Sequence, residues 1–295
     1  MNLFAYDYMI RALVGATIIG LAAPAIGIYL VQRRLSLIGD GLGHVALTGV
    51  GLGLLTHNSP TLTAVVVAAL GAVAVELVRE RGKASGDVAL AILFYGGISG
   101  GVVLVNLSSG QSSRSLTSYL FGSPLTTSPG DLAVMGVLGA ATLAVALLLR
   151  PWLFATCHDE EYARVAGLPI RLLNVVLAVT TAVTVTAAMR AVGLLLVSAL
   201  MVVPVATAQQ VTRGFHATMY LAMAFGAGAA VAGMGVSAQL DTASGATVVL
   251  LAIVAFVVVT AGAGAVRRRR SRRTAPVPEP QPQAGSEPHE VLLDR

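Results

Sequence analysis

Charge is scarce in this chain. Asp, Glu, Lys and Arg make up 11% of its 295 residues, less than half the roughly 25% of an average soluble domain. Lysine occurs once, at Lys83, and cysteine once, at Cys157. A single cysteine permits neither an internal disulfide nor a thiolate metal cluster within one chain. The lone lysine stands in Arg-Gly-Lys-Ala, with Leu77 where the first glycine of G-x-x-x-x-G-K-[ST] belongs. No phosphate-binding loop is therefore present, and the chain lacks the usual means of holding ATP. The zinc-hydrolase pattern H-E-x-x-H begins at His289-Glu290 but meets Leu293 instead of a second histidine. Aromatics are few, at 5%, and the alternating ten-residue pattern of a lipid-exposed β-barrel is missing. The opening MNLFAYDYMI has no basic segment ahead of its apolar run. That run is too long for a signal-peptide core, so it reads as a retained helix.

What fills the chain instead is apolar: 56% hydrophobic residues and a mean hydropathy of +0.81. Runs long enough to cross a hydrocarbon core of about 30 Å recur from end to end. Abundant glycine and alanine favour closely packed helices. The expected fold is all-α, a polytopic transmembrane helical bundle over residues 1–266. A basic, Pro-rich tail over 267–295 follows, expected to be disordered. The net charge of +5 does not imply nucleic acid. Residues 266–295 hold seven Arg against four acids, leaving +2 for the rest. An excess at a membrane edge is what positive-inside bias produces.

Hydropathy places nine spans at about 9–31, 35–55, 60–79, 88–107, 130–150, 171–189, 191–211, 217–236 and 245–266. Arg33 and Arg34, Arg79, Arg81 and Lys83, Arg150, Arg164 and Arg171, Arg213, and the run Arg267–Arg273 then share one side, with Arg11, Arg114 and Arg190 opposite. The rule that basic loops stay inside puts the N-terminus outside and the C-terminus in the cytoplasm of a multi-pass cell-membrane protein. The turn at Met189–Arg190 is very tight, and a re-entrant segment there would give eight spans rather than nine. Glycines at four-residue spacing, Gly39/Gly43, Gly49/Gly53, Gly96/Gly100 and Gly97/Gly101, allow helices to approach closely. Those flanking Asp40 and His44 are expected to clear space for an ion or for a second copy's helix.

The second span, LSLIGDGLGHVALTGVGLGLL, contains Asp40 and His44. An acid at the centre of a spanning helix costs roughly 2.5–3.5 kcal/mol on insertion scales, so it is seldom kept without a use. The i, i+4 spacing puts both on one helical face. A carboxylate beside an imidazole is half of a divalent-metal site, suited to Zn²⁺, Mn²⁺ or Fe²⁺ and poorly to Cu⁺. Two ligands are too few, and a second copy on a two-fold axis would supply two more. Counting from Leu35, His44 falls near the membrane midplane and Asp40 in the inner half. The structural alternative is that Asp40 caps a helix broken at Gly39 while His44 satisfies a backbone carbonyl.

The loop LFATCHDEEYARVAGLPIR, Leu153–Arg171, lies on the predicted cytoplasmic side. Asp159, Glu160 and Glu161 open a short helix, a placement their charge favours. Ala163, Val165 and Ala166 give it a small apolar face, and Gly167-Leu168-Pro169 ends it. It is either a docking helix or a surface connector. Asp241 reads as a cap of the last helix with Thr242 and Ser244 nearby. His57 reads as a loop residue, Pro204 as a kink, and Glu76 as a water-accessible acid without a role.

The blocks RRLSLIGDGLGHVALTGVGLG (Arg33–Gly53), SYLFGSPLTTSPGDL (Ser118–Leu132), DEEYARVAGLP (Asp159–Pro169), AVGLLLVSALMVVPVATA (Ala191–Ala208) and LDTASGATVVLL (Leu240–Leu251) resemble, in order, the permease subunit of the manganese/zinc/iron family of ABC importers. The resemblance covers nearly the whole chain except its tail. It implies a homodimeric, type II-like permease for zinc, manganese or iron, with no permanently bound cofactor. It implies two cytoplasmic ATPases and an extracytoplasmic metal-binding protein as partners. It also implies that Asp40 and His44 belong to the ion path. Asp159–Leu168 would be the coupling helix seated in the ATPase, through Asp159, Glu160, Glu161, Ala163, Gly167 and Leu168. The chain departs from the family pattern at Gly43, where a larger residue is common, at Thr48, where proline is common, and at Gln209, where many members have Arg. Other classes remain open on the residues alone: a permease for iron chelates or cobalamin, an intramembrane metal-dependent enzyme, or a scaffold.

Overall fold

The computed structural model describes residues 7–80, 86–108, 119–120, 122, 128–189 and 193–273. The spans' expected connections at Arg81–Lys83, Arg114 and Arg190, much of the block Ser118–Leu132, and the tail beyond Arg273 lie outside the described residues. Within them the chain is helical from end to end. The helices are α1 (Asp7–Gln32), α2 (Ile38–Leu55), α3 (Pro60–Glu80), α4 (Gly86–Leu107), α5 (Pro129–Leu148), α6 (Arg150–His158), α7 (Glu160–Val165), α8 (Ile170–Met189), α9 (Leu194–Gln209), α10 (Phe215–Leu240) and α11 (Ser244–Arg273). Helix is what a lipid-spanning chain must form, because only it satisfies every backbone N–H and C=O within one segment.

Among the described residues eight of these helices are long and apolar enough to cross a membrane; the short α6 and α7 are not, nor is α9, the helix expected as a seventh span. Its 16 residues span about 24 Å, less than a hydrocarbon core of about 30 Å. Leu194, its first residue, packs against Gly43, and Met201, further on, against Gly39, so α9 runs antiparallel to α2. Met189 and Leu194 are each 1% exposed. The helix expected over 191–211 therefore begins inside the bundle rather than at its surface, as in the eight-span alternative.

The layering is unequal. Burial of the most apolar stretch is 72% in α1 and 67% in both α2 and α8, against 17% in α11 and 22% in α4 and α5. The inner helices carry the glycine and alanine faces, and the outer ones present Val, Leu and Ile outward. Buried hydroxyls close on their own helices: Thr181 and Thr184 of α8 donate to Leu177 O and Thr180 O at 2.7 Å, and Thr184 also meets Thr142 of α5 at 3.0 Å. Polar residues in these helices are thus not functional by default.

The connection after α5 differs from the expected loop. Pro151 sits at the start of α6, where its missing N–H costs nothing, and Leu153 and Thr156 are buried under the bundle. The first half of Leu153–Arg171 is accordingly helix α6, and α7 is reduced to Glu160–Val165. Asp241 also departs from expectation. It ends α10 in a left-handed conformation, φ 51°, rather than capping α11.

Candidate metal-path site

Asp40 lies in the first turn of α2, which runs through Gly39 without a break from Ile38. A carboxylate there interacts favourably with the positive end of the helix. Because Arg33–Leu37 form turns rather than helix, His44 is about 9 Å above the start of the helix. It therefore sits in the first half of α2, not midway along it. The i, i+4 spacing brings His44 Nε2 to 4.0 Å from Asp40 Oδ1. That is beyond hydrogen-bond reach. It is also shorter than two metal–ligand bonds laid end to end, about 4.2 Å, so one cation can touch both atoms.

The two side chains differ in access. The His44 side chain is 6% exposed and that of Asp40 is 29%. His44 is held edge-on to Phe94 of α4, with ring centroids 4.5 Å apart. Its buried Nδ1 makes no hydrogen bond among the described residues, a costly condition for a polar atom inside a helical bundle. Beside Asp40 lies a cavity of about 240 Å³ lined by Leu37, Leu90, Ala91, Phe94 and Tyr95. Leu37 and Tyr95 are each 68% exposed, so the carboxylate opens toward the outside of this chain. Its walls are otherwise apolar. No cluster of three or more His, Cys, Asp and Glu occurs among the described residues.

The glycines around the pair do not clear space for an ion. Gly39 faces Met201 and Ser198 of α9, and a side chain at Gly43 would come within 2.6 Å of Leu194. That contact accounts for glycine where a larger residue is common. Gly97 is the close approach on the other side: a Cβ there would sit 2.6 Å from the His44 backbone carbon. Thr48, where proline is common, donates its hydroxyl to Gly97 O at 2.8 Å and ties α2 to α4. Gly96, one residue away, has open space around it.

At the basic end, Asp159 caps α7, its Oδ1 accepting the Tyr162 N–H at 2.9 Å. Ala163 is fully buried against the protein, so it seats the helix instead of belonging to an outward apolar face. Gly167, φ 78°, takes the left-handed position after the helix and has open space where a Cβ would be. Leu168 is half-buried, and Glu160 and Glu161 are exposed, as are Tyr162 at 69% and Val165 at 88%. Glu160 pairs with Arg164 at 3.2 Å. Tyr162 is the aromatic of that charged loop, a signal that charge and capping patterns alone do not raise. A cavity of about 900 Å³ lies between this segment and the end of α3, lined by Glu76, Glu80, Arg79, Glu160, Arg164 and Arg171 among others. Glu76 lines that cavity with little of its own surface exposed and is held by Arg79 at 2.8 Å. Arg171 pairs with Glu80.

An all-helical bundle with eight helices able to cross a membrane, one of them carrying a carboxylate–imidazole pair, fits a transport permease. The chain belongs to the ABC 3 transport family, whose model matches residues 5–263; it is the membrane permease subunit of an ABC system. It is 36% identical over 220 residues to a probable metal transport system membrane protein of Treponema pallidum, covering 75% of this chain and 82% of that one. It is 32% identical to the manganese transport system membrane protein MntC of Halalkalibacterium halodurans (76% and 77% covered). It is 30% identical to the high-affinity zinc uptake system membrane protein ZnuB of Haemophilus influenzae (70% and 79% covered). Among solved structures it is similar to a chain of PsaBC from Streptococcus pneumoniae in complex with Fab, with a TM-score of 0.79 and 28% identity over 88% of this chain and 92% of that one. A putative metal-chelate type ABC transporter in an inward-facing conformation shares the fold at a TM-score of 0.69 and 17% identity.

Proposed function

We propose that this chain imports a divalent transition metal, manganese, zinc or iron, as a homodimer powered by separate cytoplasmic ATPases and supplied by an extracytoplasmic metal-binding protein. The observation that carries the reading is the Asp40–His44 pair: two atoms 4.0 Å apart, one orphaned ring nitrogen, and a carboxylate opening outward from the chain. Two such half-sites facing each other give two carboxylates and two imidazoles, a donor set suited to these ions. The same meeting shields Asp40 from lipid. The names of the relatives, a manganese system and a zinc system among them, support the same class of cargo.

The basic end is the cytoplasmic one in this reading, which places the N-terminus outside. The exposed Tyr162 and Val165 of α7, with Glu160 and Glu161, face the ATPase. ATP-driven closure there moves α7 and switches access at the ion pair from outside to inside. A permease for iron chelates or cobalamin is the weaker reading. It has little use for an acid–imidazole pair, and a cavity of about 240 Å³ is below the usual size of organic-ligand pockets, about 300–1,000 Å³.

The test is accumulation of manganese, zinc and iron in cells lacking their own importers, with the chain expressed alongside its ATPase and binding protein. Uptake of at least one of these ions is expected, and Asp40→Asn and His44→Ala abolish it at normal membrane abundance. Unchanged uptake by both variants removes the pair from the mechanism.

A further inference from the structure

Five helix ends converge around Tyr29 at the basic end, and Arg33 is the cation at their centre. α1 closes there with two reverse bonds, Leu35 N–H to Leu30 O at 2.8 Å and Arg34 N–H to Val31 O at 3.1 Å. The left-handed residue of that closure is Arg34, φ 59°, where glycine is usual. Were Arg33 only a cap, its guanidinium would bond the last carbonyls of its own helix. Its side-chain bonds instead go to two other helices. Nη1 donates to Asn174 Oδ1 in α8 at 2.6 Å, and Nη2 to Thr156 O in α6 at 3.2 Å. Thr156 lies in the last turn of α6, where carbonyls lack helical partners and carry partial negative charge.

Neighbouring contacts reinforce the same junction. The Tyr29 hydroxyl donates to Ala146 O of α5 at 2.7 Å. The Cys157 thiol donates to Tyr29 O at 3.8 Å, and burial pushes that thiol's pKa up, so it stays a protonated donor. Phe215 of α10 stacks obliquely on both Tyr29 and Phe154, with centroids 5.4 and 4.8 Å apart. α6 then passes through the single residue Asp159 into α7. In the other direction, Arg33 leads through the turns at Arg33–Leu37 into α2 and Asp40.

We infer that Arg33 is a positioning residue: its two-way guanidinium bridge hitches the α6–α7 unit to the α1–α2 turn, so that displacement of α7 is delivered to Asp40 and His44. The inference rests on the proposed reading that α7 meets an ATPase. A planar fork with separate donors is required, because one ammonium at the same point cannot keep both partners in their present geometry. Through its Thr156 arm the bridge adds to the backbone path through α7 and α8 a short second path from α6 to the ion pair's own helix, while its Asn174 arm braces the guanidinium on α8.

The test uses the full-length chain in lipid nanodiscs, comparing Arg33→Ala and Arg33→Lys with wild type by hydrogen–deuterium exchange. Removing two charge-assisted hydrogen bonds is expected to speed exchange across Arg150–Val165 by about tenfold or more in Arg33→Ala, with Arg33→Lys in between. Peptides across α10 and α11 remain as in wild type. Exchange across Arg150–Val165 that matches wild type overturns the inference. If Arg33→Ala loosens the whole bundle, Asn174→Ala decides: it leaves Arg33 on Thr156 alone and should speed the same segment about threefold, and no change overturns the proposal. In the transporting complex, Arg33→Ala should retain bound ATPase while metal moved per ATP hydrolysed falls about tenfold. An unchanged ratio overturns the coupling role. If wild type moves no metal at all, the function proposed above fails, while the exchange experiment still judges the bridge.

Discussion

Two buried polar regions of this bundle are built on opposite terms. At the basic end, Arg33, Tyr29 and Cys157 all find partners on neighbouring helices, and Glu76 is paired with Arg79. Along the bundle, at Asp40 and His44, the closest approach is 4.0 Å and a buried ring nitrogen is left without a bond among the described residues. An interior can hold polar groups cheaply only when each is satisfied. The first region therefore reads as architecture. The second bears a cost that the described residues do not offset, as expected if the proposed ion and second copy complete it.

Variants can break or sharpen that contrast. The largest expected effect on function is at the ion pair. Asp40→Asn or His44→Ala should lower metal uptake by about a hundredfold or more, since loss even of groups that only support a metal ligand costs 10–100-fold. Asp40→Asn should leave the thermal midpoint near wild type, because the partly exposed side chain keeps its size and polarity. The largest effect on stability is expected at the seam beside the pair. Gly97→Val drives side-chain atoms into the α2 backbone and should destabilise by about 3 kcal/mol or more, whereas Gly96→Ala should change the melting midpoint little or raise it. At the satisfied end, Tyr29→Phe forfeits one bond, worth about 1 kcal/mol, and should not alter which metal is moved. Tyr162→Ala with Val165→Ser removes exposed side chains of α7 and should weaken ATPase co-purification several-fold with unchanged melting. Smallest of all, Glu160→Gln breaks an exposed ion pair worth at most about 0.5 kcal/mol; a larger loss of stability would mean that α7 is not the exposed element described.

Much of this was legible because lipid imposes a simple code. Span lengths, the side on which Arg gathers, and the i, i+4 placement of Asp40 and His44 all follow from apolar runs and helical period. What stayed hidden depends on three-dimensional partners. Hydropathy cannot separate a crossing from α9, which is as apolar as its neighbours but begins against Gly43. Nor can it see that α2 begins only at Ile38, which shifts the place of His44 along its helix. The spacing of Gly39 and Gly43 announced close packing, yet whether the space holds an ion or Met201 and Leu194 is decided by α9. Gly96 and Gly97 are indistinguishable as letters, and only the face that meets α2 tells them apart. α6 went unread because its apolar residues are interrupted by Thr156 and Cys157, which find their partners on other helices or in their own backbone.

The central claim is that each chain carries half a metal site. Titration of the chain in nanodiscs with Mn²⁺, followed by electron paramagnetic resonance of free and bound ion, addresses it most directly. One bound ion per two chains is expected, lost in His44→Ala and in Asp40→Asn. One ion per single chain, or binding untouched by either substitution, would contradict the account.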